Sequence, residues 1–129
     1  MLQTRTINPA DGIYPASSDY VHAIEVSGAT RLLFVAGTMG LDDTGVAPPS
    51  LEAQLALIWR NIRRILGEAG MTTDNIVRLT SYLGDVSYAE ANANARSAAL
   101  GDRRIPTTAI VVQTLSPEWL VEIEVIAAG

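Results

Sequence analysis

Two glutamates that share one face of an apolar strand are the residues of this chain best suited to chemistry. From Leu120 to Ala127 the side chains alternate, with Val121, Ile123 and Val125 facing one way and Leu120, Glu122, Glu124 and Ile126 the other. Two carboxylates on an apolar-flanked strand face are unusual. If a second layer covers that face, burial disfavours the charged form, and a raised pKa suits a general acid or base. The plainer reading is a solvated face, or a structural pairing with an arginine such as Arg78.

Few other groups can compete. All nine residues counted as Lys or Arg are arginines; there is no cysteine, and the only histidine is His22. This inventory excludes a Schiff-base lysine, a thiol nucleophile, a disulfide framework, a cysteine zinc site and a histidine-rich metal site. His22 shares its strand face with Tyr20, and no nucleophile-elbow motif accompanies it, so a structural or interface role is expected. Asp42-Asp43-Thr44-Gly45 resembles the start of a calcium loop but lacks the later ligands, and is expected to be a turn. Arg60, Arg63 and Arg64 lie at helical spacing and read as a solvated face. Arg103 and Arg104 follow a helix end, where cations complement the dipole. Trp59 and Trp119 read as packing or interface residues, with Trp119 also placed to wall a pocket.

The charge balance sets further limits. With a net charge of −5 and a pI near 4.7, the chain lacks the basic surface that phosphate backbones require, so no nucleic-acid partner is expected. Only 18% of residues are charged and the mean hydropathy is +0.20, which favours burial of apolar surface against another subunit. Residues Leu2 to Ile7 are too polar for a signal peptide, and the apolar run Leu32 to Ala36 is far shorter than the roughly 20 residues of a membrane span. A soluble, cytoplasmic protein without a membrane partner is expected. Its 129 residues suit a single domain, 1–129.

The elements that must position these groups are legible as patterns. Leu2 to Ile7 reads as an edge strand, followed by a loop of turn formers, then strands at Tyr20–Val26 and Arg31–Ala36. Ser50 to Gly70 predicts a helix: Ser50 as N-cap, Gly70 after its end, and Leu51, Leu55, Ile58, Ile62, Ile65 and Leu66 on one stripe. Ile76–Leu83 is a strand, and Ser87 with Glu90 forms a capping-box pattern opening a second helix to about Leu100. Strands at Thr107–Gln113 and Trp119–Ala127 complete the order β-β-β-α-β-α-β-β. That order predicts an α+β sandwich in which one mixed sheet carries two helices on one face. The other face must then find partners.

Taken together, several segments resemble the RidA (YjgF, L-PSP) family. They are Tyr20-Val21-His22-Ala23, Leu33 to Asp42, Leu51-Glu52-Ala53-Gln54 with Asn61-Ile62, Val77 to Leu83, Asn92, and Val121-Glu122-Ile123-Glu124-Val125-Ile126-Ala127. The resemblance covers about residues 18 to 128. It implies a chorismate-mutase-like fold and a homotrimer whose sheets line a central barrel, with ligand clefts between adjacent subunits. It further implies hydrolysis of small enamines or imines, such as 2-aminoacrylate and 2-iminopropanoate, to a keto acid and ammonia without a metal or organic cofactor. In such proteins an arginine pairs with the substrate carboxylate and a glutamate handles the attacking water.

By the same resemblance Glu122 is the catalytic glutamate, and Tyr20, Gly37 and Asn92 bind substrate. Counting back from Val121-Glu122, Thr107 stands where the family's Pro-Ala-Arg-Ser/Thr motif has arginine. Ala36 replaces a frequent serine, and Thr38 and Gly40 replace the usual glutamine and proline. Arg103 and Arg104 precede Thr107 by three or four residues and do not refill its geometry. A carboxylate entering such a pocket would meet Glu122 without a cation, at a cost on the order of 2–5 kcal/mol. Neutral or cationic ligands able to hydrogen-bond Thr107, Tyr20 and Glu122 are favoured instead. Three functions follow: an enamine or imine hydrolase with an altered substrate, a trimer that binds small molecules without turnover, or an RNA-cleaving translation inhibitor. The acidic charge and single histidine oppose the third.

Overall fold

A computed structural model describes residues 1–129 of the chain. Its elements run β1 (Gln3–Ile7), β2 (Ala23–Ser27), β3 (Leu32–Met39), α1 (Leu51–Glu68), β4 (Ile76–Leu83), α2 (Ala89–Leu100), β5 (Thr107–Val111) and β6 (Val121–Ala128). The strand and helix order is the one the patterns predict. The sheet is divided, however: β3-β6-β4-β5 form a four-stranded mixed sheet, while β1 and β2 pair antiparallel in a sheet of their own. In the larger sheet β6 is antiparallel to both neighbours, and β4 and β5 are parallel, joined by α2 as the crossover.

Both helices cover one face of this sheet. Val35, Leu79, Leu83, Val121, Ile123, Val125 and Ala127 meet Leu55, Ile58, Trp59, Ile62, Leu66 and Leu100 in a single core. Helix α1 forms for the reasons its sequence contains: the Ser50 side chain accepts from the Ala53 N–H, and the buried positions repeat at helical spacing. Ile65 departs from the expected stripe and is exposed. The predicted cap of α2 is also different. The Asp85 carboxylate takes the Ser87 N–H, which folds Val86–Tyr88 into a 3-10 turn and leaves α2 to start at Ala89 without a side-chain cap. Tyr20–His22 is not strand either, because the His22 N–H is held by the Asn8 side chain.

One buried amide joins the layers. Gln54, 1% exposed, donates from Nε2 to the carbonyls of Pro48 and Glu118, each at 2.8 Å, and its Oε1 accepts the Leu120 N–H at 3.0 Å. The start of α1 is thereby tied to the chain entering β6. Gly40 completes the junction, since a Cβ there would stand 2.4 Å from the Gln54 carbonyl oxygen. No helix is long and apolar enough to cross a membrane. Gln54→Ala strands two carbonyls and one N–H in the interior, and urea denaturation is expected to show a stability loss of about 2–4 kcal/mol.

Candidate functional site

The uncovered face of the four-stranded sheet carries Glu122, Glu124, Arg78, Thr80, Tyr82 and Thr108. Strand pairing sets this placement: Tyr82 lies opposite Glu122, Thr80 opposite Glu124, and Thr108 beside Thr80. Leu32, Phe34 and Ile110, 59%, 70% and 45% exposed, add an apolar surface to it. Within this face Phe34, Arg78, Thr80 and Glu124 line a cavity of about 350 Å³.

The two glutamates have different surroundings. Tyr82 donates its hydroxyl to Glu124 Oε1 at 2.6 Å, and that hydrogen bond to a carboxylate pushes the Tyr82 phenol above its ordinary pKa. Arg78 donates from Nη2 to Thr108 Oγ1 at 2.7 Å and is not ion-paired with either glutamate. Glu122 is the freer group. Its carboxyl carbon lies 3.7 Å from where a Cβ on Gly37 would stand, so a β-bulge between Val35 and Thr38 brings bare backbone against the carboxylate. Gly37 and Glu122, predicted separately, therefore form one corner of a site.

Tyr20 and Thr107 lie toward another corner. The Val21 N–H donates to the Ile105 carbonyl at 3.4 Å, which sets Tyr20 beside the entry to β5. Asp19 receives a charged hydrogen bond from Arg96 Nη2, and Arg96 follows Asn92 by one turn on the buried stripe of α2. Asn92 is 1% exposed and its Oδ1 has no partner. His22 is structural: its ring Nε2 meets the Tyr14 carbonyl at 2.8 Å, and its ring packs edge-on against Tyr14 and Tyr20.

Thr107 pairs with Leu79, a core residue, so its side chain is on the helix side of the sheet; Thr108 is the threonine on the Glu122 side. A one-residue step in a strand reverses the face, and counting along the sequence does not reveal it. Thr107 also lies three residues along and two strands across from Glu122, roughly 10 Å in each direction. A single chain thus keeps the candidate pair Gly37–Glu122 apart from Thr107.

Arg96 and Tyr82 escaped the sequence reading. Arg96 had a signal, its spacing of four from Asn92 and from Leu100; Tyr82 had only its alternation within β4. The remaining candidates fall as expected. Asp42 Oδ1 accepts from Thr44 and Val46 in a turn, and Arg60 and Arg64 make exposed pairs with Asp43 and Glu68. Trp59 is core, while Trp119 walls a cavity of about 320 Å³ with Tyr88 and Leu115. No three His, Asp or Glu side chains converge to form a metal-ligand cluster.

The Ser17 hydroxyl donates to Asp19 Oδ1 at 2.6 Å and, together with Arg96, holds the Asp19 carboxyl below its ordinary pKa. A depressed folded-state pKa stabilises above the unfolded value of about 4 and is lost as pH falls through the folded one. The difference in melting temperature between the natural chain and Asp19→Asn should therefore be largest near neutrality. It should shrink steadily in thermal melts run from about pH 4 downward.

Comparison with known proteins places this geometry. The family model described as Endoribonuclease L-PSP matches residues 13–129. A RutC family protein from Aquifex aeolicus is 37% identical over 68 residues, an alignment covering 52% of each chain, so this chain spans about half the length of that relative. A RutC family protein from Pyrococcus abyssi is 32% identical over 111 residues, 84% of each chain. Among solved structures, the Rid family protein YyfB from Yersinia pestis superposes with a TM-score of 0.84 at 29% identity, covering 98% of both chains. RidA from the Antarctic bacterium Psychrobacter superposes at 0.72 with 25% identity, covering 97% of this chain and 100% of the other. With its two helices on one face of a mixed sheet and its Glu122 strand in the centre, the chain belongs to the RidA/YjgF (endoribonuclease L-PSP) family.

Proposed function

We propose that the chain works as a homotrimer that processes small reactive metabolites of the enamine or imine class in clefts between subunits, with its substrate altered by the threonine that stands at position 107 in place of arginine. Glu122 orients or activates water there, or moves the proton. The observation that carries this reading is the separation of the candidate residues. Gly37 and Glu122 stand at one corner of the sheet, and Tyr20 and Thr107 toward another, an arrangement that supports a site completed by a neighbouring chain. Apolar Leu32, Phe34 and Ile110 on the uncovered face supply surface for that neighbour. Family membership supports a small-molecule role in general.

Hydrolysis balances without a cofactor. Water adds to the imine carbon while one of its protons passes through Glu122 to the nitrogen, giving a carbinolamine; the hydroxyl proton then follows by the same carboxylate as the C–N bond breaks, so ammonia leaves and the carbonyl forms. Gly37 backbone beside the carboxylate leaves room for the substrate that a side chain would occupy. A second reading, a trimer that binds without turnover, draws support from Thr107, which has no guanidinium and faces the helices. RNA cleavage is less well supported: two carboxylates and one arginine on the open face repel phosphates.

The deciding measurement couples an enzyme that generates 2-aminoacrylate or 2-iminopropanoate to ammonia release, with light scattering to count subunits. The natural chain should accelerate release as a trimer, and Glu122→Gln should lower the rate by about 100-fold or more while staying trimeric. Ligand binding without acceleration would establish the second reading, and a monomer would overturn both.

A further inference from the structure

We infer that the cavity at Arg78 and Glu124 is a binding site of its own, which takes a free α-amino acid with its ammonium on Glu124, its carboxylate on Arg78 and its side chain against Phe34 and Ile126. Glu122 does not line this cavity, so the inference goes beyond the imine chemistry proposed for that residue and does not rest on it.

The strands put opposite charges on one cavity without pairing them. Thr80 lies opposite Glu124 and Arg78 opposite Ile126. Arg78 and Glu124 are therefore diagonal neighbours on the uncovered face, about 7–8 Å apart at the backbone. Long side chains reach each other at that spacing, and elsewhere this chain pairs its opposite charges, as in Arg5–Glu25, Arg60–Asp43 and Arg64–Glu68. Here two hydroxyls hold them apart. Thr108 Oγ1 accepts from Arg78 Nη2 at 2.7 Å, and Tyr82 donates to Glu124 Oε1 at 2.6 Å. Both charged residues are half-buried, and Arg78 Nε and Nη1 and Glu124 Oε2 have no partner in the chain.

A partly desolvated cation and anion that line one cavity fit a ligand carrying both signs. An α-amino acid carries them on a single carbon, and its zwitterion leaves the net charge of the cavity unchanged. An anion alone meets Glu124 and a cation alone meets Arg78, each against a like charge. Phe34 and Ile126, paired across β3 and β6, form the apolar wall. The volume of about 350 Å³ lies at the small end of ligand cavities, roughly 300–1,000 Å³, which suits a single amino acid. Because hydroxyl partners already fix both charged groups, binding costs little further ordering.

Calorimetry on the full-length protein tests the assignment, with L-norleucine, hexanoate and L-norleucinamide as probes. L-Norleucine carries both charges; hexanoate lacks the ammonium, and the amide lacks the carboxylate. L-Norleucine should bind at least about 10-fold more tightly than either. Glu124→Gln and Arg78→Gln should each weaken it on the order of 10-fold or more, and Glu122→Gln by less than about threefold. Light scattering should count the same number of subunits in all three variants as in the natural chain.

Equal binding of the three probes to the natural chain, or none, would overturn the site and leave the reading of Glu122, which ammonia release tests, untouched. Norleucine binding that is indifferent to Arg78→Gln and Glu124→Gln would overturn it as well. If both variants instead lose subunits, the two charges serve contacts between chains and the site falls. A loss in Glu122→Gln equal to that in Glu124→Gln would merge the cavity with the Glu122 site and overturn a separate one.

Discussion

The pleat of β6 is the constraint on which the rest of the structure depends. As the strand between β3 and β4, it must satisfy two neighbours and two faces at once. Its odd-numbered residues from Val121 to Ala127 are buried under the helices, and Glu122 and Glu124 are therefore forced onto the opposite face. A slip of one residue would drive both carboxylates into the core, at a cost no small domain can bear. Gln54 guards that register, because it grips the chain on both sides of Trp119 just before β6 begins.

The same two-facedness explains why the protein has so few charges and spends them as it does. One face of the sheet is served by the helices. The other carries a polar centre of Glu122, Glu124, Tyr82 and Arg78 and has no cover within the chain. Buried polar groups elsewhere are rare and specific. Gln54 closes a junction, Arg96 meets Asp19, and Asn92 keeps an unpartnered oxygen.

Much of the architecture was readable before any coordinates. The stripe of α1, its Ser50 cap, the bounds of β4 and the alternation of β6 each rest on interactions within a few residues. Two of the expectations failed where another side chain took the group first. Asp85 displaced Ser87 as the capping group, and Asn8 took the His22 N–H that an extended strand would have used in a ladder. The division into two sheets was not readable, because alternation marks a strand without naming its partner.

For the site, the sequence alone determined the chemistry available: no lysine, no cysteine, one histidine, and two carboxylates on one strand face. It also carried the family resemblance, which implies roles for Tyr20, Gly37, Asn92 and Glu122. Only the tertiary structure decided which of these meet. Gly37 meets Glu122 across a bulge; the Val21–Ile105 bond sets Tyr20 beside the entry to β5; Thr107 turns away from the face that Thr108 occupies. The physical reason is that residue type and periodicity are local quantities. Which face a threonine shows, and which arginine lies against which aspartate 77 residues away, depends on strand register and helix docking, which the whole chain sets at once.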